Sequence, residues 1–284
     1  MSDSAAERLA RVGRSLSGLA IAALLWWTVT DVVAAQGSLL ARFSPLGAGP
    51  ALLALFSDGP GLRHLLVTLE RLLAGLALAT LIGAPLGIAI GRSRRLAEAT
   101  GSLFQFLRMI SPLAWTPIAI VLLGVGGAPV IFLVAVAAVW PIVLNAAAGV
   151  HALDAGWLRV AASLGATRRE QLTSIVLPGI RAHLATGLRV ALGTAWIVIV
   201  PAEMLGVDSG LGYAILDARD RLRYDELMGV VLLIGVVGFV LDSAAQRLST
   251  RVRGRRTPAR PSIVTRLGTS ADAGSTDPTT AATR

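Results

Sequence analysis

The side chains most able to do chemistry in this chain lie inside its apolar stretches: Glu70 with Arg71, then Arg189, Trp196 and Glu203. An ionised group in hydrocarbon is costly unless it faces water or a partner, so each is a functional candidate by default. Arg189 suits a path for an anion, and equally an ion pair that fixes helix packing. Glu70 and Arg71 form a polar pair near one end of their stretch. Glu203, beside Pro201, is placed near an outer gate, where a carboxylate would repel a bound anion. Catalysis has little to work with. His64, His151 and His183 are scattered, no H-E-x-x-H or G-x-S-x-G occurs, and no acid–base pair is assembled in sequence. No catalytic or metal-ligating set is therefore expected. The absence of Cys removes disulfides, thiolate metal sites and a cysteine nucleophile. All 26 basic residues are Arg, and without Lys there is no Walker A lysine. Any ATP and Mg that the protein's work needs is bound by another subunit.

The elements that must position these groups are apolar. The chain is 54% hydrophobic and 15% charged, with a mean hydropathy of +0.70. A soluble globule carries roughly 25% charged residues, so this one cannot wet its own surface. Six stretches of about 20 residues, the length that crosses a bilayer core, span 16–36, 64–90, 104–125, 129–150, 183–205 and 226–246. The expected fold is an all-α polytopic membrane protein with six transmembrane helices. The first stretch follows Arg8, Arg11 and Arg14 and ends VVAAQG, as in a secretory signal cleaved at Ala34 or Ala35. Its length, Trp26 and Trp27, and the spans that follow favour a retained helix.

A net charge of +9 is compatible with nucleic acid, but the Arg residues sit at the ends of apolar stretches, the orientation signature of membrane proteins. With a cytoplasmic N-terminus, that side collects Arg8, Arg11, Arg14, Arg92, Arg94, Arg95, Arg108, Arg159, Arg168, Arg169, Arg181 and eight more from Arg247 onward. The other side holds Arg42, Arg63, Arg219, Arg221 and Arg223. Both termini are thus expected in the cytoplasm, with no nucleic-acid partner. Residues 1–15 read as a cytoplasmic segment, 16–250 as the membrane domain with a cytoplasmic loop at 154–179, and 251–284 as a polar tail expected to stay disordered. Arg251 to Arg260 are expected against anionic headgroups. Gly83, Gly87 and Gly91 make a ridge for close helix approach. Pro85, Pro112, Pro117, Pro141 and Pro201 should kink their helices, as suits a protein that rocks.

One stretch breaks the apolar pattern: VAASLGATRREQLTSIVLPG, residues 160–179. Asp154 is placed as an N-cap. Trp157, Val160, Ala161 and Leu164 recur at i, i+3, i+4 and i+7 on one helical face. Gly165 suits the left-handed position that ends a helix, and Thr167 with Glu170 reads as a capping box. Leu172, Ile175 and Val176 form a second stripe, which Leu177-Pro178 is expected to stop. The result is a helical elbow, fit either to lie in the lipid interface or to dock in a partner's groove.

These residues resemble the EAA loop of ABC importer permeases, whose pattern is E-A-A, three residues, G, nine residues, I-x-L-P. Ala161, Gly165, Ile175, Leu177 and Pro178 match at that spacing; Arg159 stands in place of Glu and Val160 in place of Ala. LERLLAGLALATLIGAPLGIAIGRS (69–93), ISPLAWTPIAIVLLGVG (110–126), WPIVLNAAAGV (140–150), TGLRVALGTAWIVIVPAEML (186–205) and SGLGYAI (209–215) look like the nitrate/sulfonate/taurine/bicarbonate branch.

The resemblance implies a type I importer fold in a bacterial inner membrane. A permease homodimer, or paired permeases, would line one path for a small anion. Two cytoplasmic ABC ATPase subunits would grip the loops, and an extracytoplasmic solute-binding protein would deliver substrate. Carried over, Ala161, Leu164, Gly165, Ile175, Leu177 and Pro178 form the coupling helix and its exit. Arg189, Trp196 and Glu203 are the candidate path. Asp208, Gly210, Gly212 and Asp217, in an outer segment alternating Asp and Arg, are candidates for docking the binding protein. The competing class is a stand-alone secondary transporter or channel, with the interior charges as its coupling-ion site.

Overall fold

The computed structural model describes residues 17–254, apart from 19, 36, 37, 39, 58 and 59. The segment before residue 17 and the tail beyond 254 lie outside the described residues. Every regular element among those described is helical. In chain order they are α1 (Ala20–Val33), α2 (Pro45–Ser57), α3 (Gly61–Arg92), α4 (Arg94–Met109), α5 (Thr116–Leu123), α6 (Gly127–His151), α7 (Ala155–Ser163), α8 (Arg168–Gln171), α9 (Leu177–Glu203), α10 (Leu211–Asp220) and α11 (Tyr224–Gly254).

The second, fourth, fifth and sixth expected spans are present as α3, α6, α9 and α11, each long and apolar enough to cross a membrane. The third is not one rod. It begins ten residues early, at Arg94, and α4 meets the segment from Pro112 to Leu123 at 86°. The cause is local. Proline disfavours helical backbone in the residue before it, and Ile110 and Ser111 are extended, with ψ of 124° and 131°. The first expected span is represented by α1, whose 14 residues rise about 21 Å at ~1.5 Å each. Ser17 and Gly18 before it are helical too, and residues 16, 19 and 36 of that span lie outside the described residues. The described residues thus show four full-length spans, one bent pair in place of the third, and part of the first.

α2 was not foreseen. Pro45, Pro50 and two glycines give its sequence the look of a loop, and 13 residues are too few to cross. It packs along α11, where Gly229 lies against the Ala48 carbonyl and Leu52, and Gly47 against Asp225.

Lipid tails are as apolar as leucine, so close packing and buried polar contacts, rather than escape from water, hold such helices together. The core is α3, α6 and α9, with Leu72, Leu133, Val134, Ile142 and Ile199 fully buried. The small-residue ridge of α3 starts at Gly75, two turns before its expected beginning. A Cβ at Gly75, Gly87 or Gly91 would collide with Val134, the Val143 carbonyl or Val150 respectively, and one at Gly83 would press on Ile142 at 3.2 Å. The numbers rise together, so α3 and α6 run parallel and α4–α5 must carry the chain back between them. Gly149 meets Ile180 and Gly187 meets Asn145, so α9 returns antiparallel to α6. Outward-facing residues are apolar too: Leu81, Val121 and Ile197 are each more than 70% exposed.

This register puts Arg92, the α7–α8 elbow and the end of α11 at one end of the bundle. Arg63, the loop after Glu203 and Arg219 to Arg223 lie at the other. Arg108 is the exception to the expected charge division. It stands 14 residues, about 21 Å, along α4 from Arg94. The helix carries it away from the Arg-rich end and into the bundle's depth.

Candidate functional site

The elbow is built as its sequence requires. Asp154 Oδ1 accepts the Gly156 amide at 2.7 Å and opens α7. At the other end Gly165 takes φ of +82°. The Ala166 amide then donates to the Ala161 carbonyl at 2.9 Å and the Gly165 amide to that of Ala162 at 3.1 Å. Those two bonds define a Schellman cap, and only glycine takes that backbone without strain. The capping box is reciprocal: the Glu170 amide donates to Thr167 Oγ1, and the Thr167 amide to Glu170 Oε2 at 2.7 Å.

Leu153, Leu158 and Leu172 turn inward onto Ile88, Ala146, Val150, Val176 and Ile180. That anchorage leaves Trp157, Val160 and Leu164 bare, at 70%, 56% and 82% exposure. Ala161 sits half-buried beside them. The two stripes thus have opposite duties: the α7 stripe faces out, while Leu172 and Val176 in the second fasten the elbow, with Ile175 half-buried.

The expected stop at Leu177-Pro178 does not occur. Helix runs from Arg168 to Glu203 without interruption. Residues Leu172–Val176 are wound as a π turn, and the Leu177 amide reaches back to the Leu172 carbonyl. Leu177 keeps helical angles despite the following proline, and the π turn just before Pro178 accommodates its ring and missing N–H. Leu177 and Pro178 lie exposed on that turn. The elbow's second arm and the span it feeds are one rod, so tilting one tilts the other.

At the opposite end, His64, Thr68 and Arg71 follow one another at i, i+4 and i+7 on one face of α3. They meet Glu203, which is 0% exposed. Arg71 Nη1 donates to Glu203 Oε1 at 2.9 Å and to the Ser209 carbonyl at 2.7 Å, and Nη2 donates to Ser209 Oγ at 3.0 Å. Thr68 Oγ1 donates to Glu203 Oε2 at 2.8 Å and accepts the Leu211 amide at 2.8 Å. The Gly212 amide donates to Glu203 Oε2, and the Gly210 amide to His64 Nδ1, both at 3.1 Å. Gly210 has φ of +112°, and a Cβ there would overlap the Glu203 carboxylate.

This cluster corrects two expectations. Glu203 is enclosed and neutralised, so it has no free face with which to repel an anion. Gly210 and Gly212 are buried under it and offer nothing to an external protein. The knot fastens α3, α9 and the start of α10. Of the other two docking candidates, Asp208 is exposed, and Asp217 is half-buried and paired with Arg221 at 2.9 Å. Glu70 points away from the knot and is exposed. Sequence reading missed Thr68, His64 and Ser209; the i, i+4, i+7 stripe ending at Arg71 was the available signal.

Arg189 is also paired. Its Nε and Nη2 fork onto Asp242 of α11 at 3.1 and 3.2 Å, on the wall of an apolar groove of about 880 Å³ between α3, α9 and α11. Trp196 packs against Gly238 of the same helix. The structure thus spreads Arg189, Trp196 and Glu203 along α9 and ties each to a neighbour. The described residues contain no group of three or more His, Asp or Glu placed to hold a metal.

The described residues form a helical bundle of membrane-spanning length with one bent pair, a rigid capped elbow and ion pairs at Glu203 and Arg189, a polytopic membrane protein. The chain belongs to the binding-protein-dependent transport system inner membrane components, whose family pattern matches residues 79–254. It is similar to the taurine transport system permease protein of Escherichia coli, 30% identical over 85% of this chain and 89% of that one. It is 38% identical to the bicarbonate transport system permease protein of Synechococcus elongatus over 62% of this chain, spanning 64% of that protein's length. The nitrate import permease protein of a Synechocystis species is 33% identical over 68% of this chain and 72% of its own.

Among solved structures, the inward-facing MetNI methionine ABC transporter shares the fold at 18% identity and a TM-score of 0.59, covering 67% of this chain and 95% of that one. A bacterial ABC transporter importing the acidic polysaccharide alginate shares it at 17% and 0.55, covering 86% and 99%. The chain is therefore a multi-pass inner-membrane permease subunit of an ABC importer. These relatives support that reading and not a stand-alone secondary transporter.

Proposed function

We propose that two copies of this chain line a path for a small anion of the bicarbonate, nitrate or taurine kind, and that the elbow couples it to ATPase subunits in the cytoplasm. Substrate would arrive on an extracytoplasmic binding protein, at the end that carries Asp208 and α10. ATP and Mg would be bound and hydrolysed on the ATPases. The observation that carries the coupling role is the bare stripe of Trp157, Val160 and Leu164 on an elbow continuous with α9. A groove that grips this stripe moves a span directly, and the ATPase state then biases two arrangements of the bundle.

The charge at the grip is unusual. Asp154 and Glu170 are spent as caps, while Arg159, Arg168 and Arg169 make no ion pair among the described residues. A groove that fits them carries carboxylates on its rim.

Replacing Leu164 with Asp is expected to leave the protein inserted and folded but to abolish co-purification of the ATPase. Recovery of a complex of normal stoichiometry from that variant would remove the docking role.

A further inference from the structure

Two arginines of the spanning helices are neutralised: Arg71, at the outer end, by Glu203 and Arg189, farther in, by Asp242. Arg108 is not. It is exposed, and neither it nor Gln105, one turn earlier, makes a hydrogen bond or ion pair with another described residue. Both line a cavity of about 270 Å³ between α4 and α6, together with Phe104, Trp140 and Leu144. The Phe104 and Trp140 rings meet at 5.7 Å, which fixes the level. Trp140 is the fourteenth of the 25 residues of α6, so the cavity opens near mid-span. An uncompensated guanidinium at that depth requires water or an anion beside it.

We infer that Arg108 and Gln105 form a station for a small oxyanion within the translocation path. The inference rests on the permease reading above and names the group that meets its cargo. A guanidinium fork presents two parallel N–H donors, which match two oxygens of a carboxylate-, nitrate- or sulfonate-like ion. Gln105 adds a neutral donor. The cavity is smaller than the roughly 300–1,000 Å³ of sites for drug-sized ligands, and suits an ion of a few heavy atoms. One free charge without a second cation or a closed cage gives weak capture, as conduction needs: binding strong enough to enter and weak enough to leave.

The test uses the full chain co-expressed with its ATPase, in nanodiscs of neutral phosphatidylcholine. Thermal unfolding is followed against sodium nitrate, bicarbonate and taurine, with chloride at equal ionic strength as the control. At least one of the three should raise the midpoint saturably. Arg108→Gln should weaken that effect at least tenfold, while Arg95→Gln, exposed near the start of the same helix, leaves it in place.

Equal responses in wild type and Arg108→Gln, or no response beyond chloride in wild type, would overturn the station. So would Arg108-dependent retention of phosphatidylglycerol from mixed nanodiscs, which would make the ligand a headgroup. Loss of the permease dimer in Arg108→Gln would instead make Arg108 an interchain ion pair. ATPase association is read in the same samples, so absence of a complex in wild type counts against the permease reading and not against the station.

Discussion

Glu203 shows how a buried charge is made tolerable. It has three donors around it from two elements, Thr68 and Arg71 of α3 and the Gly212 amide of α10, and its ion-pair partner is in turn held by Ser209. Removing one member of such a pair strands the other, at a cost of about 3–5 kcal/mol, whereas replacing both by apolar residues is often nearly neutral. Arg71→Met is therefore expected to lower thermal stability sharply in detergent, and Arg71→Met with Glu203→Met to regain most of it. If the double variant is as unstable as the single, the knot is not the closed ion-pair unit described. The pair was legible in sequence only as two isolated candidates. Nothing in the spacing of residues 71 and 203 announces that a loop folds back between them.

At the scale of elements, the elbow followed its sequence closely because its determinants are local. Asp154, Gly165, Thr167 and Glu170 each act within a few residues of themselves, and each cap forms where the pattern places it. Gly165→Val puts a β-branched residue at φ of +82° and is expected to cost on the order of 1–2 kcal/mol locally. Hydrogen exchange at the amides of residues 165 and 166 should quicken, with the core amides of α6 unchanged. Unaltered protection would show that the Schellman cap does not hold the elbow.

Proline was the residue type whose outcome depended on context. Pro112 breaks a span by 86°, while Pro178 and Pro201 are absorbed into one long helix. A π turn precedes Pro178 and accommodates it, and such turns carry no recognised sequence signature.

For the whole molecule, the proposed pairing of two copies would cover part of the apolar exterior. Along α9, Val190 and Ile197 are 50% and 75% exposed, and Gly193 lies exposed between them. A second copy would face this stripe across the path. The chain has no Cys, so Ile197→Cys supplies one unique thiol per protomer. A homobifunctional maleimide should then join two protomers of the assembled transporter in native membranes. Monomer alone, with the thiol shown to be reactive, would place the dimer axis elsewhere.

The sequence by itself determined that the chain is helical, that it is a membrane protein, which ends of its helices share a side, and the shape of the elbow. These depend on composition and on interactions between near neighbours, which a linear string displays. Tertiary structure alone decided that Glu203 closes a knot with Arg71, that Arg189 has Asp242, and that Arg108 has no carboxylate partner among the described residues. Those facts turn on distances between residues tens to more than a hundred positions apart. A charge can be read from the sequence; whether it is spent depends on what the fold brings beside it.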